Sequence, residues 1–206
     1  MGFHVGWITI FGKTPEEARS ELELVETKKR EDLPESEITA ALLPSGWYMI
    51  FFNDLMAPEL EDQRLKNLSQ SGDVMMFLVE EASMVSLARG YVGGRCIWEV
   101  THDSSGGLED IKTSGVLPAP FPAIRDQQIK KLRKAGEYSA DYLFDIPAEL
   151  SKSITGFRHD EDIEGTDGEA FCILERVSQQ PANPILMPSA MQSSEQPVAK
   201  KPWWQL

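Results

Sequence analysis

The apolar positions of this chain fall in short runs that end on charge, glycine or proline. The densest runs lie in residues 73–103, DVMMFLVEEASMVSLARGYVGGRCIWEVTHD. Residues 74–79 are almost wholly apolar over a strand's length, which suits a strand buried on both faces. Glu80 and Glu81 close that run. In residues 84–92, Val85, Leu87 and Tyr91 alternate against Ser86 and Arg89. Gly93-Gly94 follows, a pair that tolerates positive φ and suits a tight hairpin. Residues 95–101 read as the returning strand, with Cys96, Trp98 and Val100 on the inward face and Ile97, Glu99 and Thr101 on the other. The stretch predicts a meander of two or three antiparallel strands. Its glycines are not a phosphate loop, because Gly90, Gly93 and Gly94 do not make GxGxxG and no Lys-Ser or Lys-Thr follows.

The flanking patterns predict further elements. Residues 5–11, VGWITIF, alternate loosely and form a strand that Gly12 ends. Thr14-Pro15-Glu16-Glu17 is a capping box, with Pro15 at the first helical position. The helix is expected to reach about residue 25, with Ala18, Leu22 and Val25 on its buried stripe. Residues 28–37 read as a charged loop, 38–43 as a short strand, Pro44-Ser45-Gly46 as a turn and 47–52, WYMIFF, as a strong strand. Pro58 opens a helix ending near Gly72, with Leu60, Leu65 and Leu68 as its apolar contacts. After a loop at 103–107, residues 108–112 read as a short edge strand. Pro122 enters a helix through Ala135 with Ile124, Gln128 and Leu132 at four-residue spacing and Gly136 as its stop. Asp145 is placed to cap a last helix that buries Ile146, Leu150 and Ile154 and ends at Gly156. Residues 171–177 read as the final strand. The sum is an α+β fold: a mainly antiparallel sheet of five to seven strands with about four packed helices.

Composition changes at Ser178. Five of the thirteen prolines lie in the last 29 residues, among Gln, Ser and Ala. Residues 1–177 therefore read as a single α+β domain, and 178–206 as an irregular, Pro-rich flexible tail ending in Trp203-Trp204. Docking back on the domain, binding a partner and fraying are the readings open for those two tryptophans.

Charge narrows the function classes. Twenty basic against 33 acidic side chains give −13. Lys200 and Lys201 against Glu195 in the tail leave residues 1–177 at −14. Such a field repels nucleic-acid phosphates and anionic lipid, and favours basic partners or simple solubility. Cys96 and Cys172 sit in apolar strand-like runs without zinc or CxxC spacing, so both read as buried free thiols that fit a reducing cytoplasm, with a single disulfide as the alternative. No signal-peptide pattern opens the chain, and no apolar run is long enough to span a bilayer.

Candidate chemistry is sparse. In residues 158–169, RHDEDIEGTDGE, Asp160, Asp162, Glu164 and Gly165 match EF-hand positions one, three, five and six. Position twelve is Phe171 rather than the required Glu, so a solvated acidic loop is the simpler reading. His102-Asp103 and His159-Asp160 are two His-Asp pairs that, folded together with Glu80, Glu81 and Glu99, supply metal-ligand or acid–base chemistry. Their spacing specifies no one element, and strand-end histidines are commonly structural. His4 reads as structural. Ser45-Gly46 lacks a GxSxG frame, and the adjacent Glu80 and Glu81 point to opposite faces of a strand.

Three stretches resemble parts of an uncharacterised family of bacterial cytoplasmic proteins: GWYMIFF at residue 46, FLVEEASMVSLARGYVGGRCIWEVTHD at 77 and YLFDIPAELSKSITGFRHDED at 142. The resemblance covers about residues 5–162 and implies no assigned activity and no catalytic residue. A small, strongly acidic protein without a catalytic motif is also similar in general character to immunity proteins that neutralise toxins. The sequence thus leads to the expectation of a non-enzymatic acidic protein, without cofactor, engaging a basic protein partner. The expected contacts are Glu80, Glu81, Glu99, Asp160, Glu161, Asp162, Trp203 and Trp204. The alternative is a metal-dependent hydrolase using His102, Asp103, His159 and Asp160.

Overall fold

A computed structural model describes residues 2–107, 110–135, 140–163, 165–166 and 168–177. Strand β1 (His4–Phe11) leads to α1 (Pro15–Glu21), β2 (Leu24–Glu31), β3 (Ile38–Leu42) and β4 (Tyr48–Phe52). A 3-10 turn at Pro58–Leu60 precedes α2 (Asp62–Leu68), then β5 (Asp73–Glu80), β6 (Val85–Val92), β7 (Arg95–Asp103) and β8 (Ile111–Gly115). The chain continues through α3 (Phe121–Ala135), a 3-10 turn at Tyr142–Asp145, α4 (Ile146–Thr155) and β9 (Phe171–Arg176). The nine strands form one sheet in the order β2-β9-β3-β4-β1-β5-β6-β7-β8. Every neighbouring pair is antiparallel.

The central strands are buried on both sides. Six consecutive residues of β1 and all five of β4 are buried. One face presents Trp7, Phe51, Phe77 and Val100 to α3, α4 and the segment after α4. The opposite face presents Ile8, Ile50, Phe52 and Met76 to α1 and α2. These are called the α4 face and the α1 face below. Period two sends alternate residues to opposite layers, so only a strand that is apolar at every position satisfies both. The run at residues 74–79 meets that condition.

The capping box forms as expected: Glu17 N donates to Thr14 Oγ1 at 3.2 Å and Thr14 N to Glu17 Oε2 at 2.8 Å. It satisfies two otherwise orphaned donors at the start of α1, a stabilisation of about 1 kcal/mol. The helix stops at Glu21, however, and Val25 is an exposed residue of β2 rather than part of a buried stripe. The charged loop expected at 28–37 is shorter, because residues 28–31 belong to that same strand, which runs to Glu31 at the sheet edge. The helix from Pro58 divides into a 3-10 turn and α2, but Leu60, Leu65 and Leu68 are buried as expected. The last edge strand is described at Ile111–Gly115, overlapping the expected 108–112, of which Leu108 and Glu109 lie outside the described residues. Asp145 flanks α4 without capping it, because Arg158 takes its carboxylate. Gly156, at φ 82°, ends α4.

Gly93 and Gly94 adopt φ of 57° and 77° in the β6–β7 hairpin. Just before that turn the pairing shifts from Gly90↔Trp98 to Tyr91↔Cys96, leaving Ile97 as an extra residue. A one-residue bulge flips the faces beyond it. Cys96 therefore lies on the α1 face with its partner Tyr91, and it is exposed rather than buried with Trp98. Cys172 is buried, and both thiols are free. Gly136, Trp203, Trp204 and the rest of 178–206 lie outside the described residues. No helix among the described residues is long and apolar enough to cross a membrane.

Candidate functional site

The segment after α4 builds the site. Gly156 N donates to Lys152 O at 2.8 Å, and Ser45 Oγ donates to Thr155 O, fastening the helix end to the β3–β4 turn. The chain then crosses the central strands and packs Phe157 edge-on to Trp7, with ring centroids 5.2 Å apart. His159 follows into an aromatic nest, 4.6 Å from Phe3, 5.6 Å from Trp7 and 6.0 Å from Phe77. Its side chain is 4% exposed. Nδ1 is buried without a hydrogen-bond partner and faces Asp160 Oδ1 at 3.9 Å, beyond bonding distance. Burial pushes the imidazole pKa below its ordinary value, the Asp160 charge opposing the shift, so the ring is neutral at pH 7.

Arg158 is held by three carboxylates. Its Nε donates to Asp160 Oδ1 at 2.6 Å, Nη1 to Glu149 Oε1 at 2.7 Å and Nη2 to Asp145 Oδ1 at 2.9 Å. Burial disfavours the guanidinium charge, but Asp160, Asp145 and Glu149 outweigh it and raise the pKa further. Asp160 is also half-buried, which opposes ionisation, yet the Arg158 hydrogen bond and charge hold its carboxyl below the usual range. One positive charge facing three negative ones leaves this cluster at −2.

Two clefts flank the segment and share His159. The first, of about 550 Å³, lies between the β5–β6 corner, the start of α4 and residues 158–160. Its apolar wall is Phe77, Val79, Met84, Phe144 and Ala148, and its carboxylates are Glu81, Asp141, Asp145 and Asp160. The second, of about 350 Å³, is lined by Asp32, Glu161 and Asp162 together with Leu33, Phe157, Ile163 and Phe171. Among the described residues Arg158 is the only Lys or Arg lining either cleft.

The expected contact residues separate into two groups. Glu81, Asp160, Glu161 and Asp162 converge on the clefts. Glu81 accepts from Phe3 N at 2.9 Å, which ties β5 to the N-terminal segment beside His159. Glu161 pairs with Lys152. Glu80 lies on the other face of β5, paired with His4. Glu99 is on the α1 face of β7, paired with Arg89 at 2.5 Å, and is remote from the clefts.

His102 and His159 do not form one ligand set. His102 is fully buried on β7, with Asp110 O 2.7 Å from Nδ1 and Asp141 Oδ2 2.8 Å from Nε2. Both neighbours are acceptors, so a proton lies between Nε2 and Oδ2 and Nδ1–H donates to the carbonyl. With the carbonyl at one ring nitrogen and the carboxylate at the other, no nitrogen is left for a metal. Asp103 points to the other face and accepts from Ser105 N at 2.9 Å. No group of three or more metal-ligating side chains occurs among the described residues. Ser86 stands opposite His102, but its hydroxyl donates to Phe144 O at 2.7 Å, so it is not set up as a nucleophile. His102–Asp141 and Ser86 instead pin the 3-10 turn before α4 to the sheet, and this places Asp141 and Asp145 in the cleft wall.

Sequence reasoning did not find Asp32, Asp141, Asp145, Glu149 or Arg158. The one signal available was the four-residue spacing of Asp145 and Glu149, which puts both carboxylates on one side of α4. No protein-family model matches the chain, and neither a curated protein nor a solved structure matches it.

Proposed function

We propose that this chain is a non-enzymatic binding protein that uses the acidic rim of the two clefts to engage a protein with a basic surface. The observation carrying this reading is the lining itself: seven carboxylates, a neutral imidazole and one guanidinium whose three nitrogens all face carboxylates. Such a surface offers acceptors and negative field, and its complement is a surface of Lys and Arg. An antidote that shields a basic toxin is one role of this chemistry. Two free thiols fit a reducing cytoplasm.

The test is a tagged pull-down at low salt, followed by association kinetics with the captured partner. Alanine at Asp160, Glu161 and Asp162 together is expected to lower the association rate about tenfold at low salt and far less at high salt. A basic partner whose association is unchanged by the triple substitution overturns the assignment of this rim.

A further inference from the structure

We propose that the larger cleft receives a long cationic side chain, arginine or lysine, projecting from the basic partner. This rests on the reading above and goes further, from a charged surface to a specific pocket. Three features define what the pocket accepts. Its floor and walls are apolar, with Phe77, Val79, Met84 and Phe144 contributing. Its polar groups are carboxylates, and the guanidinium among them has Asp145, Glu149 and Asp160 on all of its nitrogens. His159, 96% buried by its 4% exposure, faces the Asp160 wall with an Nδ1 that has no partner. A concave pocket of this size, largely apolar with a few convergent polar groups, has the usual form of a ligand site.

The chemistry excludes most visitors. An anion meets −4 from Glu81, Asp141, Asp145 and Asp160 against one Arg158 whose nitrogens already face carboxylates. A neutral apolar group leaves the excess negative charge of the cleft uncompensated. An ammonium or guanidinium on an aliphatic stem matches both parts: its stem lies along the apolar wall and its N–H donors meet acceptors.

The experiment is a titration of the isotope-labelled full chain with three acetylated and amidated tripeptides, Gly-Arg-Gly, Gly-Lys-Gly and Gly-citrulline-Gly, followed by amide NMR shifts. Citrulline keeps the shape of arginine and removes its charge. The arginine and lysine peptides are expected to shift Ala82, Met84, Ala148 and His159 with a Kd on the order of millimolar. The citrulline peptide is expected to bind at least about tenfold more weakly. Ala82 is exposed on the cleft rim, so Ala82→Trp is expected to block the pocket while the rest of the spectrum is kept. Glu81→Gln is expected to weaken binding about threefold, and comparing the two cationic peptides shows which head group fits. Equal binding of citrulline, shifts that survive Ala82→Trp, or no shift at about 10 mM peptide each overturns the pocket. Such a failure leaves the acidic-rim reading standing if the triple alanine variant still slows association with the captured partner.

Discussion

His159 and Asp160 are neighbours whose ionisations move protein stability in two different pH windows. The His159 pKa is pushed below 6.5, first by burial and against the Asp160 charge. The unfolded ring therefore gains a proton at a pH where the folded ring has none. Its contribution is complete above about pH 6.5 and is lost as pH falls from there towards the folded value. Asp160 is held below 3.8 because the Arg158 hydrogen bond and charge outweigh its burial. Its contribution is present above about pH 3.8 and is lost only as pH falls through the depressed value. Groups facing His159 are Asp160, Arg158, Glu81 and Asp145, and only Arg158 opposes its protonation. His159→Phe keeps the aromatic packing and removes the titration. Urea melts are expected to show that the variant loses about 1 kcal/mol less than the native protein between about pH 7.5 and 5. Parallel losses in the two proteins would mean that His159 does not titrate in a buried setting.

The β6–β7 hairpin shows how one extra residue redirects an element. Ile97 bulges, Trp98 stays on the α4 face and Cys96 turns to the α1 face. Gly90 makes this possible, because a Cβ there would lie 2.1 Å from Trp98 Nε1. The expected consequence is one reactive thiol in the native state. An exposed-thiol reagent should modify Cys96 alone, and Cys172 only after unfolding. Partial burial raises the Cys96 pKa, so its labelling rate should keep rising with pH beyond the usual thiol range. Two native thiols, or none, would contradict the bulge. The turn of this hairpin was legible because Gly93-Gly94 stands between two alternating runs, whereas the bulge leaves no mark in an apolar pattern. Strand β2 was hidden for a related reason. Of LVETKKRE only Leu24 is buried, and an edge strand with two wet faces has no period-two signal. The doubly buried strands were readable, since continuous apolar runs of strand length admit few alternatives. At the site, the HDED acids are adjacent in sequence, but Asp32, Asp141 and Asp145 reach the same clefts only through folding.

Across the whole molecule the charge is unbalanced. Eighteen basic against 32 acidic side chains in residues 1–177 leave −14. Self-repulsion at that charge opposes compactness, and salt relieves it. Melting is therefore expected to rise by about 3 °C, roughly 1 kcal/mol, from low to high ionic strength, even though the surface ion pairs weaken. A fall with salt would show that paired charges outweigh the excess. The sheet has a second global property. The last strand, β9, lies between β2 and β3, both near the start of the chain. Thr27 on β2 donates to the carbonyl of Ile173 on β9, 146 positions away. While the chain is being made on the ribosome, β2 therefore waits without a neighbour until nearly the whole domain has emerged. Such distant pairing closes a long loop before it yields contacts, which makes the final closure slow. Lys28, Lys29 and Arg30 set three like charges along that edge strand, an arrangement that disfavours pairing of the bare ribbon with the same ribbon of another chain.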